Sequence, residues 1–207
     1  MLPGYWLLAT FVAGGLALRA AAFAADPRFP DWPCAQLKVP EISIAAVWSG
    51  PSIDALENVW QTDPAVRDLV ARSAIRRTPL EDAQTEIRNF IARSADRQET
   101  AKLTFAGLFV SLNAERSQVI NGIERFSRHQ EAFANRIREE IAELRRLRDA
   151  DANESEIDEV ANRIDWDTRI FEERRKTIRY ACEVPVLIEQ RLFALARTIQ
   201  ESLGSAH

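Results

Sequence analysis

Hydrophobic side chains recur at alternating steps of four and three through the second half of the chain. From Phe105 they fall at Phe109, Leu112, Val119, Ile123, Phe126, Phe133, Ile137, Leu144 and Leu147. A period of about 3.5 residues marks one helix laid along another. Asp149 to Glu154 interrupts the pattern with turn-forming residues. It resumes at Ile157, Val160, Ile164, Phe171, Ile178, Ala181, Pro185, Ile188, Leu192, Leu195 and Ile199, and Gly204 stops it. Two such helices with a short polar turn between them predict an antiparallel hairpin. The chain is therefore read as all-α, with a long coiled-coil-like hairpin as its frame.

A turn centred near residue 152 makes the numbers of facing residues add to about 304. Phe105–Leu112 then faces Leu192–Ile199. Both stretches are apolar over more than a narrow seam. A face that wide must be covered by further helices, so two shorter ones are expected to pack at this base. Near the turn, residues 135–170 carry the seam alone, flanked by mixed charge. That end is expected to project as a bare arm, and a helix from Phe105 to Leu147 would be about 65 Å long.

Upstream, Asp63-Pro64 is a strong helix start, an N-cap aspartate followed by proline at the first helical position. Thr78-Pro79-Leu80-Glu81 has the form of a capping box. Ser94 to Lys102 is polar and favours a break. The expected helices run over about 63–77, 79–95, 103–149 and 154–203 within a helical domain of 63–204. Residues 26–62 are expected to form an irregular arm. Prolines at 27, 30 and 33 forbid regular helix, and Pro40, Gly50 and Pro51 punctuate the remainder of the segment. Trp32, Trp48 and Trp60 give this arm apolar surface. They read as anchors onto the helices rather than a ligand site, because no polar groups converge beside them.

Residues 1–25 differ again. An apolar run from Tyr5 to Leu18 leads through Arg19 to small residues, where Ala22 and Ala24 supply an A-x-A pattern. This predicts a cleaved signal peptide and export to the periplasm, although no basic residue precedes the run. Membrane association is expected only if the segment is retained. The two cysteines, Cys34 and Cys182, fit an oxidising compartment and read as one disulfide. Gly122, facing Cys182 in the hairpin, would leave room for the arm, and Pro185 should bend its helix.

Composition then narrows the function. The 207 residues carry a formal net charge of −4 with both signs intermingled, which disfavours nucleic acid. Histidine occurs twice, at His129 and His207, and the single methionine is Met1. No zinc, haem, di-iron, P-loop or nucleophile-elbow pattern occurs, so neither a cofactor, a metal nor catalysis is expected. Polar residues do enter the seam, at Arg116, Gln130, Glu140, Asp167 and Arg174. They read as a register device rather than an ion site.

The expectation is a non-catalytic exported protein that offers its hairpin to a protein partner, as an adaptor, assembly factor or chaperone-like accessory. Self-association through the hairpin is a further expectation. The alternative is a periplasmic bundle binding a small molecule or metal beneath the aromatic arm. Trp166, with Ile170 one turn on, is the candidate docking residue, because exposed tryptophan is enriched where binding energy concentrates.

Overall fold

The computed structural model describes residues 26–204. The signal-peptide expectation for residues 1–25, and His207, lie outside them. Helices account for the described architecture: α1 (Ile44–Val47), a 3₁₀ turn (Val59–Thr62), α2 (Pro64–Ala74), α3 (Leu80–Arg93), α4 (Arg97–Asp149) and α5 (Glu154–Gly204). The fold is all-α. Its frame is the antiparallel pair of α4 and α5, 53 and 51 residues long. The facing register follows the seam, with Arg116 beside Glu189 and Arg136 beside Asp167.

Local chemistry sets the helix ends. Asp63 accepts from the amides of Ala65 and Val66 at 2.8 and 3.2 Å, with Pro64 as the first residue of α2. Asp96 accepts from the Glu99 amide at 2.9 Å and starts α4. The polar stretch after α3 thus breaks at 94–96 only, and Arg97 onward is already helix. The capping box at Thr78 does not form. The Thr78 hydroxyl instead donates to the Arg72 carbonyl at 3.2 Å, closing the end of α2, and Pro79 caps α3 without a side-chain bond. At the hairpin turn, Asp151 adopts φ 49°. The amides of Ala152 and Asp151 donate back to the carbonyls of Leu147 and Arg148 at 3.0 and 3.3 Å. This is a Schellman closure with aspartate in the left-handed position. Asn153 then receives the Ser155 amide at 2.9 Å as α5 begins.

The core sits at the base. Phe105, Leu108, Leu112, Ile188, Leu192, Leu195 and Ile199 from the hairpin are fully buried. Leu69 and Val70 of α2, and Ile87 and Ile91 of α3, join them in one cluster. Gly107 lets Trp60 and Val70 approach α4, since a Cβ there would meet Val70 Cγ2 at 2.7 Å and the Trp60 ring at 2.9 Å. Gly122 has no such role: a Cβ there would meet only the end of Arg125, at 3.9 Å. The arm reaches Cys182 without needing a bare backbone at Gly122.

Candidate functional site: the strapped base and the open arm of the hairpin

The N-terminal arm is a strap along the hairpin. Near its start, Asp31 pairs with Arg128 at 2.6 Å, and Cys34 is disulfide-bonded to Cys182. Gln36 donates to the Cys182 carbonyl, and Lys38 pairs with Glu124 at 2.5 Å. The strap therefore runs antiparallel to α4 and parallel to α5. Trp32 is buried on Ile120 and Ile123, its indole N–H donating to the Gln36 carbonyl at 2.7 Å. Trp48 stacks on Phe105 with ring centroids 4.1 Å apart and planes 9° apart. Rings in contact at that distance leave no space for a ligand between them. Trp60 is also buried, its indole N–H turned back to the Glu57 carbonyl at 2.9 Å.

Arg116 joins strap to hairpin. Only 2 % of its side chain is exposed. Its guanidinium donates to Glu189 at 2.6 Å, to the Val39 carbonyl at 2.5 Å and to the Pro40 carbonyl at 3.2 Å. A buried cation is tolerable when its donors are matched this fully. Arg116 thus holds three segments together, where a position in a two-helix seam implied two. Neither Glu189 nor the strap carbonyls carry a sequence signal, because the pairing depends on where the strap lies.

Beyond the strap, the arm of the hairpin is two helices thick and its seam is partly polar. Arg136 reaches Asp167 at 2.5 Å and Glu140 at 3.9 Å, while Arg163 approaches Glu140 at 3.4 Å and Glu143 at 3.7 Å. Asp167 and Glu140 are buried, so the two guanidiniums lie over them as charge partners from the seam's edge. Gln130 donates to the Phe171 carbonyl at 3.4 Å, and its Oε1 is buried without a hydrogen-bond partner. Arg174 is not in the seam: it is exposed, with its guanidinium 5.0 Å from the Phe133 ring centroid. A long side chain at the seam margin can cover a ring while its charge stays in water.

A shallow groove of 670 Å³ opens along this stretch, lined by Phe126, His129, Phe133, Asp167, Ile170 and Arg174 among others. Ile170 is half-buried there. One turn earlier on α5, Trp166 is 61 % exposed. Trp166 and Ile170 stand at i and i+4, so they share a helix face. The sequence could place Trp166 on the arm but could not show how far its ring stays uncovered.

Among the described residues no three His, Cys, Asp or Glu side chains group to hold a metal ion. Among them, too, no helix is long and apolar enough to cross a membrane. In comparisons with known proteins, no family model, no curated protein and no solved structure matches the chain.

Proposed function

We propose that the protein is exported to the periplasm and acts there, without catalysing a reaction, as an adaptor, assembly factor or chaperone-like accessory to a protein partner. The strapped base is the scaffold, and the open arm is the presenting element. The observation that carries this reading is Trp166, a large indole 61 % exposed on a two-helix arm, beside the groove that Ile170 lines. An indole kept in water has a cost that binding removes, and tryptophan is prominent among residues that dominate interface energies. Export is supported by the Cys34–Cys182 disulfide, which suits an oxidising compartment, and by the A-x-A pattern of the N-terminal segment.

The test is Trp166→Ala. Helix content and melting temperature should stay nearly unchanged, because most of the residue is exposed. Capture of the partner by the mature protein should weaken by about 2 kcal/mol or more. A variant that melts early yet captures its partner as before would make Trp166 a structural residue and remove the arm as the docking site.

A further inference from the structure

A second surface lies at the base, where α3 and α5 run side by side. Two adjoining grooves of 270 and 460 Å³ share Gln190 between them. Arg76, Arg191 and Arg197 line them and no carboxylate does. Leu187 lines one groove and Phe193 the other, and they are 50 % and 45 % exposed. Arg76 already pairs with Glu115 at 3.0 Å, and Arg191 lies within electrostatic reach of the same carboxylate without a direct ion pair, whereas no ion pair holds Arg197 among the described residues. Arg191 is buried, donating to the carbonyls of Ser73 at 2.8 Å and Thr78 at 3.0 Å, and its remaining nitrogen, Nη2, has no hydrogen-bond partner. Burial pushes its pKa below the ordinary arginine value. Glu115 offsets only part of that cost, and a desolvated cation favours a further nearby anion.

This chain carries an acidic element of matching character. Residues 149–162 hold six carboxylates, Asp149, Asp151, Glu154, Glu156, Asp158 and Glu159, and no basic side chain. All six are exposed at the free end of the hairpin. Arg145, Arg146 and Arg148, which precede them on α4, leave the end acidic on balance. Ala152 and Ile157, half-buried among the carboxylates, offer apolar surface for Leu187 and Phe193 to cover.

We propose that the acidic hairpin end of a second copy docks in the arginine-lined groove between α3 and α5, so that copies associate head to tail. The two surfaces differ, so the contact is heterologous and builds open chains rather than a closed dimer. It uses other residues than the Trp166 surface, which begins about one turn beyond the acidic element on α5. Being largely electrostatic and exposed, it is weak and salt-sensitive.

Sedimentation of the full mature chain tests this. At about 20 mM salt the weight-average mass should climb with protein concentration, and at about 0.5 M it should return towards the monomer. Leu187→Glu with Arg197→Glu alters the groove, and Glu156→Gln with Asp158→Asn alters the hairpin end. All four positions are exposed, so melting should be preserved. Each double variant alone should associate at least about fivefold more weakly. Mixed in equal amounts, they should form a two-chain species and nothing larger, because only one intact groove meets one intact hairpin end. A wild-type chain that stays monomeric at every concentration and salt overturns the proposal. Association that survives in both double variants overturns it as well, by placing the contact on another surface.

Discussion

Two glycines on α4 show how differently one residue type can serve. Gly107 lies where α4 is crowded: an added methyl would press on the Trp60 ring and Val70, both held in the core. Gly122 faces open space, and glycine inside a helix is a weak helix former. Gly107→Ala should therefore destabilise the protein by about 1–3 kcal/mol, as overpacking does. Gly122→Ala should stabilise it by about 0.5–1 kcal/mol. Denaturant melts of the two variants check both signs. An equal response would mean that Trp60 does not pack on α4 as described. Arg116 makes a related point about charge. Its spacing among Leu112, Val119 and Ile123 marked it as a seam residue, and it is buried at that level. Its partners Val39 and Pro40 are backbone carbonyls of the strap, which no periodicity reveals.

At the scale of elements, the helices were the legible part. Seam spacing, the Asp63-Pro64 start and the polar turn at 149–154 each rest on local chemistry, and each needs only a few neighbouring residues to read. The Thr78 box misled because its hydroxyl had a competing acceptor, the Arg72 carbonyl, made available when α2 ends at Ala74. The strap was legible only as non-helical with aromatic anchors. Its course along the hairpin depends on long-range contacts: the disulfide, the Lys38–Glu124 pair and the stack of Trp48 on Phe105. The disulfide spans 148 residues of sequence, and closing so long a loop contributes about 3–5 kcal/mol on the chain-entropy account. Replacing both cysteines with serine should release the strap locally rather than unfold the whole chain. Its Trp48 end stays stacked in the base cluster. Hydrogen exchange should then quicken in residues 29–40 and around Ile120 and Ile123, while α2, α3 and their facing turns of α4 and α5 stay protected. Equal loss of protection in α2 and α3 would show that the disulfide holds the base as well.

At the scale of the whole molecule, apolar burial and polar display separate along the hairpin axis. The base is a packed core of strap, α2, α3 and the paired helices. The opposite end is two helices with a partly charged seam, exposed acids and an uncovered tryptophan. That separation was foreseeable from the width of the apolar faces, wide at Phe105–Leu112 and narrow near the turn. The candidate docking residues were much less legible. Exposure is a property of what fails to cover a side chain, and Arg174 and Trp166 illustrate it: one was placed inside the seam and stands outside, the other stays bare beside it. The central claim is that this arm meets a protein partner. The most direct measurement is photo-crosslinking in the source cell, with a benzophenone amino acid at position 166 and, as the control, at exposed Glu57 near the base. The account predicts a discrete heavier adduct from position 166 that is absent or much fainter from position 57. No adduct at 166, or the same adduct at both positions, would contradict it.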